Sequence, residues 1–159
     1  MHNSVIKILQ KSGSEYREIF HRDFNTLINS PIDLANAMEY ELSRITKTLL
    51  LKDKKSERFM ITVCSINKIL DLNAIAIIAE VKKLTFANSI ELFNITKFKR
   101  NSVSPLGKFE LPIYIDKNLE QFETILIGSG EIGTEIEISP LALIRISKAT
   151  VKAISKNKE

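Results

Sequence analysis

Two apolar runs lie close together: "TKTLLLK", residues 46–52, and "RFMITVCS", residues 58–65, with only the polar "DKKSE" between them. Runs of that length, rich in Leu, Ile, Val and Thr and joined by a short polar turn, predict an antiparallel hairpin. Alternate residues of a strand share a face. Leu49, Leu51, Ile61 and Val63 are therefore expected in the core, with Ile125 and Ile136 from later strands. Lys47 then points the same way as Leu49 and Leu51, and an ammonium on that side has two readings. It snorkels to water from a strand edge. Alternatively it stands at a pocket mouth, aimed at a phosphate or carbonyl oxygen, because an unpaired buried ammonium is costly.

The rest of the chain surrounds this hairpin with short elements. "SVIKILQKSG" reads as a helix stopped by Gly13. "EYREIFH" reads as a strand with Tyr16 and Phe20 on one face. "SPIDLANAMEYEL" is a helix with Ser30 as N-cap, Pro31 in the first turn and Asp33 completing a capping box. "DLNAIAIIAEVKKL" carries Leu72, Ile75, Ile78 and Ala79 at helical spacing behind an Asp71 cap. "LTFAN" is a short strand, and Ser89 opens the small helix "SIELFN". "LPIYID", "ETILIGSG", "TEIEIS" and "ATVKAIS" are strands, and "SPLALIRIS" repeats the Ser-Pro helix start at Ser139 and Pro140. No regular strand–helix–strand rhythm runs through this order. It predicts an α+β fold with one mixed, curled, barrel-like sheet and flanking helices. A single domain is expected over residues 1–155, followed by a solvated basic tail, 156–159.

A chain of 159 residues with 44% hydrophobic and 26% charged residues can bury one real core. Lys and Arg outnumber Asp and Glu by 23 to 19, a mild excess that permits a nucleic-acid partner without requiring one. No apolar run is long enough to span a bilayer, and the start lacks a signal-peptide pattern. The lone cysteine, Cys64, suits a reducing cytoplasm. With two histidines and one cysteine a usual zinc set is not available. No metal and no other cofactor is expected.

The stretch "RNSVSPLGK", Arg100 to Lys108, has two readings. It is a surface loop, or a rigid one whose backbone lines a site, since Pro105 fixes φ and Gly107 frees it. Lys97, Lys99, Arg100 and Lys108 surround it, as a solvated face or as a contact for a nucleic-acid backbone. In "GSGEIGTEIEIS" no helix start follows the glycines, so a hairpin turn is favoured over a phosphate loop. Glu135 and Glu137 share one strand face. Cys64 reads as a core residue and His21 as a structural histidine. No nucleophile–base–acid set is evident.

The ordered set "EIFH", "ITKTLLLKD", "FMITVCS", "DLNAIAIIAEVKKL", "NSVSPLG", "IYID", "LIGSGEIGTEIEISPLALIRI" and "ATVKAIS" resembles the YbaK family, the aminoacyl-tRNA deacylases related to the editing domain of bacterial prolyl-tRNA synthetase. The resemblance implies that Lys47, in the family's "KTL" motif, looks into the substrate pocket and is catalytic. It implies that the loop Asn101, Ser102, Val103, Ser104 and Pro105 orients the aminoacyl group. The segment Gly128, Ser129, Gly130 would form the pocket rim, Glu135 would be an acidic pocket position, and Lys97, Lys99, Arg100 and Lys108 would meet tRNA. Two family glycines are here Lys97 and Asn101. Asn tolerates positive φ, so the loop shape is expected to persist. The implied activity is trans-editing: hydrolysis of the ester joining a wrong small amino acid, Ala, Cys or Ser, to tRNA-Pro. The partners would be aminoacyl-tRNA and a prolyl-tRNA synthetase, in the cytoplasm and not at a membrane. The alternative, suggested by the missing glycines, is a non-catalytic tRNA- or nucleotide-binding module of the same fold.

Overall fold

The expected hairpin is the centre of the computed structural model, which describes residues 2–158. Strands β2 (Thr46–Asp53) and β3 (Phe59–Ser65) pair antiparallel with Lys47 opposite Cys64 and Leu51 opposite Met60. Their alternation feeds two cores. Leu50, Ile61 and Val63 pack on one face, and Leu51, Met60 and Cys64 on the other. Covered on both sides, β3 is buried along nearly its whole length, as its unbroken apolar run requires. Five of the six expected core residues are fully buried, while Leu49 is half-buried at the margin of the second core.

Around the hairpin the sheet is mixed, as expected, but it does not close on itself. Five strands run β5 (Leu84–Phe86), β2, β3, β6 (Ile113–Asp116) and β9 (Thr150–Lys152), with β3–β6 and β6–β9 parallel. A separate antiparallel sheet is formed by β1 (Arg17–Phe20), β8 (Thr134–Ile138) and β7 (Ile125–Gly128). The buried residue of β1 is Ile19, on the face opposite Tyr16 and Phe20. A third, two-stranded sheet corrects the expected tail. β10 (Ser155–Asn157) pairs with β4 (Lys68–Leu70), because buried Asp116 accepts bonds from Ile154 N (3.1 Å) and Ser155 Oγ and so turns the chain back. The side chains of Lys156 and Asn157 remain in solvent, and Glu159 lies outside the described residues.

The helix starts follow the sequence closely. Ser30 caps α2 (Pro31–Met38), Asp71 caps α3 (Leu72–Ala79) and Ser139 caps α5 (Pro140–Ser147) through the predicted side-chain bonds. Asp33 closes its box on Asn29 N rather than on Ser30, and Asn88 rather than Ser89 caps α4 (Ser89–Thr96). The ends come early. Both α2 and α3 stop four or five residues before the apolar pattern does, on Glu39 and Glu80 in the left-handed conformation (φ 53° and 55°). After Glu39, Tyr40 leaves the helix to bond Thr124 and stack under the Arg44 guanidinium at 3.8 Å. Burial pushes its phenol up to about 12. The first helix, α1 (Asn3–Ser12), ends on Gly13 as expected.

Candidate functional site

The edge of β2 that faces away from β3 is covered only at its two ends. At one end β5 pairs with Leu51–Asp53. At the other, Ile45 bridges to Leu126 and Thr46 Oγ1 donates to Leu126 O at 2.7 Å. Between them lies a cleft of about 780 Å³ that runs along Ile45 and residues 46–50 of β2. Its opposite wall comes from His21, the start of α2, the loop Arg100–Val103 and the turn between β7 and β8. A second hollow, of about 740 Å³, lies at the start of α5. It is the more open of the two, and both of its arginines are already engaged, Arg17 with Glu137 and Arg145 with Ser14.

The loop wall is rigid for reasons that can be read residue by residue. Thr96 Oγ1 accepts from Phe98 N, Ser102 N and Oγ both bond Lys99 O, and Ser102 O accepts from Gly130 N at 2.8 Å. Asn101 and Lys97, the two positions at which the family resemblance implies glycines, both hold positive φ, 69° and 67°. The loop therefore keeps its left-handed turns without glycine. Gly128 supplies the closest contact: a Cβ placed there would lie 2.0 Å from Val103 O. Only a residue without a side chain lets β7 end against the loop backbone.

The sequence-predicted residues divide into two groups. Lys47, Arg100, Asn101, Ser102, Val103, Gly128 and Glu135 all line the cleft. Ser104, Pro105, Ser129 and Gly130 do not. Ser104 is fully buried and caps Leu106 N, and Ser129 donates to Glu131 O and Thr134 O, so these hydroxyls shape the loop and the turn. Lys97, Lys99, Arg100 and Lys108 are exposed, and among them Arg100 alone reaches the cleft lining.

Lys47 adopts neither of the two positions considered for it in full. Its stem follows the apolar face, and Nζ donates to the backbone carbonyl of Lys68 in β4 at 2.6 Å. The carbonyl takes one of the three ammonium donors and does not neutralise the charge, and Lys47 lines the cleft. Cys64, across from Lys47, is no competing nucleophile: burial pushes its thiol up to about 11, against an opposing pull from Lys47. Among the described residues no three His, Cys, Asp or Glu side chains come together.

Two cleft residues carry polar atoms left unpaired: His21, read from the sequence as structural, and Thr48, not singled out there. His21 continues β1, bonds Gly133 O through its own N–H at 2.9 Å, and brings Nε2 to 3.8 Å from Glu135 Oε1, beyond hydrogen-bond reach. Thr48 sits between Lys47 and Leu49. His21 Nε2 and Thr48 Oγ1 are the buried side-chain polar atoms with no partner among the described residues, and both residues line the same cleft. An unsatisfied buried polar group costs about 1–3 kcal/mol, so a polar group bound in this cleft gains by pairing with either atom.

Comparison with known proteins gives the family and the fold. The Enterococcus faecalis protein named "Putative Cys-tRNA(Pro)/Cys-tRNA(Cys) deacylase EbsC" is 28% identical over 123 residues, covering 77% of this chain and 74% of that protein. Two solved structures share the fold over almost the full length. One is described as a putative trans-editing enzyme for prolyl tRNA synthetase (TM-score 0.84, 20% identity, 99% of each chain). The other is hypothetical protein APE2540 (TM-score 0.85, 21% identity, 97% of this chain and 100% of that one). The family described as "Aminoacyl-tRNA editing domain" matches residues 27–146, which hold every cleft-lining residue but His21, and the chain belongs to that family.

Proposed function

We propose that this protein is a trans-editing aminoacyl-tRNA deacylase that hydrolyses the ester between a small, wrongly attached amino acid and the terminal adenosine of tRNA. One observation carries the reading: in a member of the editing family, an ammonium, a rigid backbone loop and a carboxylate meet in one cleft. Such esters are already activated, so positioning can supply much of the rate. Water, oriented by the neighbouring ribose hydroxyl, adds to the acyl carbon, and the bond from that carbon to the ester oxygen breaks. Lys47 Nζ stabilises the negative charge that grows on the carbonyl oxygen or holds a substrate phosphate, and the ribose oxygen leaves with a proton. The backbone of Asn101–Val103 orients the acyl group, and Glu135 receives the α-ammonium. The exposed Lys97, Lys99, Arg100 and Lys108 meet the tRNA backbone.

The amino acid removed is a small one, Ala, Ser or Cys, as the family resemblance implies, and the EbsC name supports tRNA-Pro as the carrier. On this reading the protein works alongside a prolyl-tRNA synthetase, in the cytoplasm, where tRNA is charged. No helix among the described residues is long and apolar enough to cross a membrane. The non-catalytic alternative rested on missing glycines. Because Asn101 and Lys97 adopt the glycine-like φ, that motive for it is gone.

A deacylation panel tests the reading. With tRNA-Pro charged with Ala, Ser, Cys, Thr and Pro, the small esters are expected to be cleaved and Pro spared. Cleavage of none of them sinks the proposal. Run across a salt series, Lys99→Ala and Arg100→Ala are each expected to flatten the salt dependence of binding by about one unit of log–log slope per lost phosphate contact. An unchanged slope in both variants assigns the tRNA to another face.

A further inference from the structure

Three backbone bonds fix which way each residue of β2 faces. Ile66 N donates to Ile45 O (2.8 Å), Ile61 N turns to Pro112 O (2.9 Å), and Ala87 N donates to Leu50 O (3.0 Å). In an antiparallel ladder the N–H and C=O of alternate residues point to opposite edges. Residues 45, 47, 49 and 51 therefore bond β3, while 46, 48, 50 and 52 present their groups to the other edge. Leu50 and Lys52 are met there by Ala87 and β5, and Thr46 lies against Leu126. Thr48 falls in the gap, at the floor of the cleft, and its Oγ1 is the enclosed hydroxyl without a partner.

We propose that Thr48 is the seat of the aminoacyl group, which docks against the open edge of β2 as a single antiparallel strand residue. The inference rests on the deacylase reading and extends it to how the acyl group is held. An aminoacyl ester carries an α-ammonium and a carbonyl oxygen one carbon apart, the same donor and acceptor that a residue offers in a hydrogen-bonded antiparallel pair. The ammonium donates to Thr48 C=O, and the ester carbonyl accepts from Thr48 N–H, which thereby joins Lys47 in stabilising the developing oxyanion.

Side chains of such a pair lie on the same face of the sheet. An L-amino acid seated this way sends its side chain beside that of Thr48, onto the face shared by Thr46 and Leu50. A serine hydroxyl or cysteine thiol arriving there can bond Thr48 Oγ1, which an alanine methyl cannot. A D-amino acid sends its side chain to the opposite face, that of Lys47 and Leu49. Thr48 thus reads both the hydrogen-bonding character and the handedness of the attached residue.

The test compares Thr48→Val with Thr48→Ser on L-seryl-, L-cysteinyl-, L-alanyl- and D-seryl-tRNA. In the valine variant the L-Ser to L-Ala ratio of kcat/KM is expected to fall about tenfold, roughly one hydrogen bond, and the serine variant restores it. Cleavage of the D-seryl ester does not follow the change. A ratio unmoved in Thr48→Val, in a wild-type protein that does cleave these esters, overturns the seat at Thr48 and leaves the deacylase reading intact. Cleavage of none by the wild type brings down both. A readout that requires no variant is the backbone amide resonance of Thr48 during titration with 3′-(L-seryl)amino-3′-deoxyadenosine. It is expected to shift more than those of Lys47 and Leu49, which face β3, and a silent Thr48 amide overturns the proposal.

Discussion

Gly128→Ala is expected to lower single-turnover deacylation about a hundredfold while the protein still folds. The added Cβ would lie 2.0 Å from Val103 O and 2.8 Å from Val103 C. Both are backbone atoms, so no side-chain rotation relieves the clash. The loop has to move by about an ångström, and it is tied down by the bonds from Ser102 to Lys99 and Gly130. Overpacking of this kind costs about 1–3 kcal/mol, which a domain of this size survives. A displacement of about 1 Å in a positioning element is enough to cost about 10²-fold in rate. Gly13→Ala is the control. Gly13 has positive φ (68°), but nothing lies within 4 Å of its Cβ position, and it ends α1 without lining the cleft. That variant is expected to lose about 1 kcal/mol of stability and none of the rate. A wild-type rate in Gly128→Ala removes the loop backbone from the mechanism.

Lys47→Met is expected to lower the saturated rate by about 10²–10³-fold, the loss typical of removing one preorganised donor to a developing oxyanion, with a much smaller change in affinity. Methionine keeps a long apolar stem on the face shared with Leu49 and Leu51, so packing is largely preserved. The variant leaves the Lys68 carbonyl without the Lys47 ammonium, and a loss of about 1 kcal/mol is expected on that account. The check is single-turnover kinetics at saturating enzyme beside thermal unfolding. Lys99→Ala and Arg100→Ala, on the exposed side of the loop, should show the reverse pattern, with weaker binding and an unchanged saturated rate. If Lys47→Met loses stability but keeps its rate, Lys47 is a strut between β2 and β4 and not part of the chemistry.

The hairpin was legible because its two faces are both buried, which leaves strong apolar runs on either side of an obvious turn. Helix starts were legible because a capping side chain is a local event: Ser30, Asp71 and Ser139 each bond a residue three positions on. Helix ends were not. Glu39, Glu80, Lys97 and Lys148 all terminate helices in the left-handed region without being glycine, and what draws the chain away, as at Tyr40, is a contact distant in sequence. β4 and β10, three residues each, are too short to carry a periodic signal, and their pairing depends on Asp116.

The site was legible to the extent that the family resemblance supplied it. That resemblance brought together Lys47, Asn101–Val103, Gly128 and Glu135, and it gave no means of separating cleft-lining residues from Ser104 and Ser129, whose hydroxyls are spent on nearby backbone. Thr48 and His21 stand out only through a partner they lack, and that is a property of the folded chain. The alternation within "TKTLLLK" already placed Thr48 on the face opposite Lys47. What could not be read was that the strand's neighbours stop short on either side of it.

Lys47 is held by a carbonyl of β4, and β4 is held in turn by the last strand. Ser155–Asn157 pairs along it, and the Lys68 ammonium bonds the Asn157 side chain. The closing residues thus act on the cleft at one remove, as a brace behind the lysine. A purification handle or fusion joined directly after Lys158 would load that brace, whereas one placed ahead of α1 would leave it alone.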